Sequence, residues 1–158
     1  VSFQKPAQVE ARAELLTMLG LWLEAVAPEE GCALLVGKRL GACWRLERLW
    51  PCCNVWPDGD QRNQRFAIDP REQLQAQKWA RGLGLELLGS AHSHPTTAPL
   101  PSASDRAFTA QPALMLIRGI RQSGGRPETL CWWLDDGEGR PELLPCRQPA
   151  RDLPVPWM

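Results

Sequence analysis

The chemistry available to this sequence is concentrated between Gly89 and Asp105, Gly-Ser-Ala-His-Ser-His-Pro-Thr-Thr-Ala-Pro-Leu-Pro-Ser-Ala-Ser-Asp, which contains both histidines of the chain. His92 and His94 follow the apolar run Leu85 to Ala91. On a strand, residues two apart leave the same face, roughly 6.6 Å apart along the backbone, so the two imidazoles can reach one metal ion. Zinc takes imidazole nitrogen at about 2.0–2.1 Å and carboxylate oxygen at about 2.0–2.2 Å, and a catalytic site needs a third protein ligand with one position left for water. Asp105 is the candidate third ligand. Taken separately, Ser102 and Asp105 match Ser-x-x-Asp, in which a hydroxyl and a carboxylate satisfy backbone N–H groups at a helix start. Combined with the histidine pair and Pro95, the pattern points to a zinc site.

The flanking residues indicate what must position these side chains. Leu85 to Ala91 is almost continuously apolar, as a central strand buried on both faces would be. Pro95 to Pro101 has three prolines and reads as a stiff loop leading to a helix capped by Ser102, with Asp105 in its first turn. Upstream, Val9, Ala13, Leu16, Leu19, Leu23 and Val26 recur at helical intervals and predict an amphipathic helix over 8–27. Gly31 to Gly37 reads as a buried strand, Ala42 to Trp50 as its hairpin partner, and Pro51 to Gln64 as a loop in which Trp56 either tucks onto the domain or awaits a partner. Arg65 to Asp69 reads as a third strand, and Pro70 opens a helix that glycines at 82 and 84 stop. Ala113 to Ile120, Leu130 to Leu134 and Glu142 to Leu144 complete the sheet. This order predicts an α/β domain over 1–144, with a mixed sheet between helices, and a loose proline-rich tail over 145–158.

Composition narrows the function classes. The 158 residues suit one domain, and 18 basic against 18 acidic side chains give no net charge. Without a Lys/Arg-rich block, neither nucleic acid nor an anionic membrane surface is an expected partner. No stretch approaches the ~20 apolar residues of a membrane span, and Val1 to Lys5 has no leader-like character, so a cytoplasmic protein is expected. Six cysteines occur without a Cys-x-x-Cys, and Cys32, Cys43 and Cys131 lie in apolar segments, which favours reduced structural thiols.

His92-Ser93-His94-Pro95, the ten residues between His94 and Asp105, and Pro101-Ser102 before Asp105 resemble the signature of the JAMM (MPN+) zinc metalloproteases. That family carries a glutamate far upstream, at the start of a strand. The segment Pro28-Glu29-Glu30-Gly31-Cys32-Ala33-Leu34-Leu35-Val36-Gly37 is similar, with Glu30 in the matching place; a lone glutamate there would otherwise read as a solvated loop carboxylate. Asn54, Phe66 and Asp69-Pro70 resemble the family's middle region more weakly. The resemblance runs from the first helix to about Leu134 and implies the JAMM/MPN fold and one zinc ion on His92, His94 and Asp105. It further implies Glu30 as general acid and base, and Ser102 as an oxyanion donor in amide, peptide or isopeptide hydrolysis.

Other metal chemistries fail on spacing or size. A zinc deaminase needs His-x-Glu and Pro-Cys-x-x-Cys, a His-x-His amidohydrolase barrel needs roughly 250 residues, and His-Glu-x-x-His is absent. The alternative within the fold is a non-catalytic MPN-type module that scaffolds partners. The resemblance is to the compact prokaryotic branch, some members of which process ubiquitin-like sulfur carriers. A metal at the end of a central strand, flanked by the loops 95–101 and 51–64, describes an open groove suited to an extended substrate tail, with a terminal glycine near the metal. Oligomeric state is not legible in the sequence.

Overall fold

The computed structural model describes residues 4–121, 125–135 and 139–149. In chain order these form β1 (Gln8–Glu10), α1 (Ala13–Ala25), β2 (Cys32–Leu40), β3 (Cys43–Cys52), α2 (Pro70–Gly82), β4 (Glu86–Ser93), α3 (Ala103–Phe108), β5 (Ala113–Ile120), β6 (Pro127–Leu134), β7 (Glu142–Leu144) and β8 (Cys146–Arg147). The strands form one sheet in the order β7-β6-β5-β4-β2-β3-β1-β8. It is mixed: β4 runs parallel to β5, and β1 parallel to β3 and β8, while β2 is antiparallel to both β3 and β4. The chain is thus the layered α/β domain its sequence predicts.

Alternation along β2 explains why its sequence is apolar without interruption. Leu35 joins Leu19 and Leu23 of α1 in the larger core, whereas its neighbour Leu34 packs with Ala76 of α2 on the other face. Both faces are covered, so neither parity of position is free to be polar. β4 lies beside β2, with Ala91 in the α1-side core and His92 fully buried. His92 therefore leaves the most constrained part of the sheet.

The termini of α2 follow local chemistry. Asp69 accepts the Arg71 N–H, Pro70 occupies the first turn, and the chain leaves the helix through Gly84 at φ 71°. The hairpin between β2 and β3 turns at Gly41, φ 64°, and is tighter than the expected connection over 38–41 because β2 continues to Leu40.

Three expectations are corrected. Gln8 to Glu10 is not the start of α1 but a strand: Val9 pairs with Trp44 on one side and Cys146 on the other. Arg65 to Asp69 is not a strand. Ala67 gives its N–H to Asn54 Oδ1 and its carbonyl to Val55 N–H, while Phe66 and Ile68 pack inward, so the alternation records burial without a ladder. The tail is not loose from Pro145 onward, since Cys146–Arg147 adds an edge strand to β1; residues 150–158 lie outside the described residues. All six cysteines are free thiols. No helix among the described residues is long and apolar enough to cross a membrane.

Candidate metal centre

β4 ends at the site. His92 is its penultimate residue and His94 follows it, so the predicted shared face is realised, with His92 Nε2 and His94 Nε2 3.1 Å apart. Across from them, Ser102 caps α3: its Oγ accepts the Asp105 N–H at 3.0 Å, and Asp105 Oδ2 accepts the Ser102 N–H at 2.9 Å. The helix-cap reading of Ser-x-x-Asp is realised, and it leaves Asp105 facing the histidines. The capping box turns the Asp105 carboxylate inward, where Oδ2 lies 3.1 Å from both imidazole Nε2 atoms.

Neighbouring groups fix the imidazoles. His94 Nδ1 faces the Ala98 carbonyl at 2.8 Å; a carbonyl can only accept, so that nitrogen carries a proton, and Nε2 faces the centre. The loop holding Ala98 is stapled to β5 by His94 N–H to Arg118 O and Ile120 N–H to Thr97 O, and Trp132 Nε1 donates to Pro99 O. Gly119 permits this approach, because a Cβ there would lie 2.5 Å from Pro99 N and 2.6 Å from Thr97 O. Phe66 stacks on the His92 ring at 4.3 Å between centroids and 20° between planes.

Glu30 is buried at the entrance to β2, not solvated. Its N–H donates to Arg62 O at 2.7 Å, and its carbonyl accepts Asn54 Nδ2 at 3.0 Å. Asn54 also spans Arg65 O, Trp56 N–H and Ala67 N–H, which ties the loop after β3 to the Glu30 backbone. On the opposite side, Gly31 N–H donates to Ser93 Oγ at 2.8 Å, linking Glu30 to the residue between the histidines. Ser93 was not singled out by sequence reasoning. The available signal was its position, since the residue between two that share a face must point to the other face.

The two carboxylates occupy opposite electrostatic environments. Burial pushes Glu30 up to about 8, with His94 lowering it and Asp105 raising it further; its Oε2 has no hydrogen-bond partner. Asp105 is also desolvated, but hydrogen bonds from His92 and His94, their charge and the Ser102 N–H hold it well below the usual carboxylate range. His92 is pushed down by burial, whereas contacts to Asp105 and Ala98 outweigh burial at His94 and raise it.

Glu30, His92 and His94 bring ligand atoms within 4.8 Å of one another, a group able to hold a metal ion. Distances distinguish the carboxylates around the shared histidines. Tetrahedral ligands on zinc stand about 3.3 Å apart for bonds of about 2.0–2.1 Å. Asp105 Oδ2 is near that spacing from both histidines, while Glu30 Oε1 is 3.9 Å from His94 Nε2. Two imidazole nitrogens and a carboxylate oxygen converging at 3.1 Å form a ligand set that a cation can satisfy.

A cleft of about 270 Å3 opens beside Asp105, lined by Trp56, Phe66, Ile68, Gln73, Ser90 and Phe108 among others. Its lining takes in Trp56 of the loop after β3 and the end of α3, and includes neither the 95–101 loop nor Glu30, His92, His94 or Ser102.

The profile of the prokaryotic homologs of the JAB domain matches residues 12–135. Over 79 residues the chain is 38% identical to a Thermus thermophilus protein described as "Probable TtuB-protein conjugate cleaving protease", a match covering 50% of this chain and 48% of that protein. The matched region thus spans about half the length of that curated relative. The fold resembles the solution structure of a Desulfitobacterium hafniense protein, with a TM-score of 0.76 and 27% identity over 91% of this chain and 96% of the other. It also resembles a Salinibacter ruber protein, with a TM-score of 0.67 and 25% identity over 92% and 95% of the two chains. With its sheet order, its histidine pair at the end of β4 and a family match across most of its length, the chain belongs to the prokaryotic homologs of the JAB domain, a JAMM/MPN-type family.

Proposed function

We propose that this protein is a zinc-dependent metallopeptidase or isopeptidase that hydrolyses an amide bond at the C-terminal tail of a ubiquitin-like sulfur-carrier protein. The observation that carries this reading is the mutual 3.1 Å approach of His92 Nε2, His94 Nε2 and Asp105 Oδ2, with the buried Glu30 carboxyl, whose Oε2 has no hydrogen-bond partner, beside it. His92, His94 and Asp105 would hold the ion. When bound, zinc supplies Lewis acidity and lowers the pKa of a coordinated water towards ~7.

The chain's own residues then divide the work. Glu30 stands beyond ligand spacing from His94, where it accepts the proton of the attacking water and passes it to the leaving amine. A base whose pKa lies near the working pH can do both, and burial moves Glu30 in that direction. Ser102 Oγ accepts the Asp105 N–H, which leaves its own proton free to donate to the oxyanion that develops on the scissile carbonyl. Asp105, kept ionised by its neighbours, stays a ligand throughout.

The name of the Thermus thermophilus relative, which speaks of a TtuB-protein conjugate, supports a protein conjugate as the substrate. Free thiols throughout suit a reducing cytoplasm. The test is incubation of zinc-loaded protein with a sulfur-carrier fusion and with a control whose last glycine is valine, read by intact mass. Cleavage after the glycine alone, abolished by a chelator, is expected. Cutting of neither fusion by a zinc-replete sample would overturn the reading in favour of a scaffolding module.

A further inference from the structure

The two histidines of the centre are held in different ways. His94 is oriented by a hydrogen bond, its Nδ1 donating to the Ala98 carbonyl at 2.8 Å. His92 is fully buried, yet its Nδ1 has no hydrogen-bond partner among the described residues. A metal-ligating imidazole almost always passes its other N–H to a carboxylate, a carbonyl or a water, and that partner fixes the ring. What lies against His92 is another ring: Phe66 stacks on it with centroids 4.3 Å apart and planes 20° from parallel.

The separation decides how freely the imidazole can turn. Aromatic pairs settle with centroids about 4.5–7 Å apart. Edge-to-face pairs elsewhere in this chain stand 5.6 Å apart for Trp44 with Trp133 and 5.1 Å apart for Trp56 with Phe108. At 4.3 Å there is no space for the His92 ring to rotate edge-on about its Cβ–Cγ bond, so only a near-parallel imidazole fits. Within that plane, Asp105 Oδ2 and His94 Nε2, each 3.1 Å from His92 Nε2, set which edge meets the centre.

Phe66 is itself gripped from both sides. Asn54 Nδ2 donates to Arg65 O at 2.9 Å and Asn54 Oδ1 accepts the Ala67 N–H at 3.2 Å, so one side chain holds the backbone immediately before and after Phe66. The ring packs against two buried clusters, one containing Leu34 of β2 and the other Ile117 of β5. Those strands flank β4, so Phe66 bridges the neighbours of the strand that carries His92.

We propose that Phe66 is a positioning residue of the metal centre, setting the plane of the His92 imidazole by stacking where His94 is set by a hydrogen bond. This inference rests on the metal site of the reading above and adds a residue outside its ligands. Stacking needs a flat ring, so an aromatic replacement preserves the effect and an aliphatic one does not.

Two readouts that need no turnover test it, on protein purified without a histidine tag. In the zinc-free protein the chain's two histidines give two sets of imidazole NMR signals, assigned with a His94→Gln variant. At one fixed pH the His92 ring protons, lying over the face of Phe66, should resonate upfield of their position in Phe66→Leu and stay upfield in Phe66→Tyr. Competition with a chromophoric chelator should show zinc held about 10-fold more weakly by Phe66→Leu and within about 3-fold of wild type by Phe66→Tyr. Ile68→Ala removes packing from the same segment and should leave zinc affinity near wild type. Should Phe66→Leu fail to fold, Phe66→Met replaces it in both measurements.

Unchanged affinity in the folded aliphatic variant, an equal loss in Ile68→Ala, no rescue by Phe66→Tyr, or no upfield shift in wild type would overturn the positioning role. Zinc binding that ignores Phe66 removes this role and leaves the metal centre. A wild type that refuses zinc with its ring shift intact removes the metal centre and this role with it. Phe66-dependent zinc binding without cleavage of the carrier fusion removes the hydrolase and leaves the positioning role.

Discussion

Ser93 and Gly31 exchange two hydrogen bonds, Gly31 N–H to Ser93 Oγ at 2.8 Å and Ser93 N–H to Gly31 O at 3.1 Å. One partner lies between the two histidines and the other directly follows Glu30, so this exchange sets how far the carboxylate stands from the imidazoles. Ser93→Ala leaves the buried Gly31 N–H without its acceptor and should cost about 1–3 kcal/mol of stability. Zinc content should be preserved while kcat falls, because the ligands stay and the base drifts. Denaturant unfolding and turnover on the same samples check this; unchanged kcat would show that Glu30 is positioned from elsewhere.

Gly119 acts on the site without touching it. A methyl group there would overlap the Pro99 and Thr97 backbone, which must retreat and take the Ala98 carbonyl from His94 Nδ1. Gly119→Ala should weaken zinc binding by about 10–100-fold, the usual effect of losing a partner that orients a metal-ligating histidine. Competition with a chromophoric chelator measures it. Wild-type affinity in a folded variant would mean that the His94 ring is oriented without the loop.

The pH dependence of the metal-free protein tests the environment of Glu30. Its folded-state pKa is raised, to about 8 from 4.5, so between those values the folded chain keeps a proton that the unfolded chain has released. Unfolding then releases protons, and this group's contribution to stability falls as pH rises through that window. Metal-free wild type should lose thermal stability from pH 5 to pH 8 more steeply than Glu30→Gln. Parallel curves would show that Glu30 ionises freely. Ligation should reduce the slope, since a nearby cation favours the carboxylate.

The site was more legible in the sequence than the sheet edges were. His92, His94, Ser102 and Asp105 lie within 14 consecutive positions of one strand, loop and helix start, so local spacing carries most of their geometry. Glu30 depends on β2 pairing with β4, a long-range fact that only resemblance to a family could supply. Val9 satisfied a helical stripe as well as it satisfies a strand, and its partners Trp44 and Cys146 are too distant in sequence to be read from local pattern. Phe66 and Ile68 alternate like a strand because both face inward, yet their segment bonds to the Asn54 side chain and to Val55 rather than to a ladder. Periodicity reports burial, and burial does not require a sheet.

The most direct measurement is zinc per chain together with turnover of a Gly-terminated carrier fusion, for wild type, Glu30→Gln, Glu29→Gln and Asp105→Asn purified without a histidine tag. The expected result is about one zinc in wild type and in both glutamate variants, with turnover falling at least ~10²-fold in Glu30→Gln and little in Glu29→Gln, and loss of both metal and turnover in Asp105→Asn. Zinc lost from Glu30→Gln but retained with activity in Asp105→Asn would contradict the assignment, making Glu30 the third ligand and leaving the hydrolysis without its proposed base.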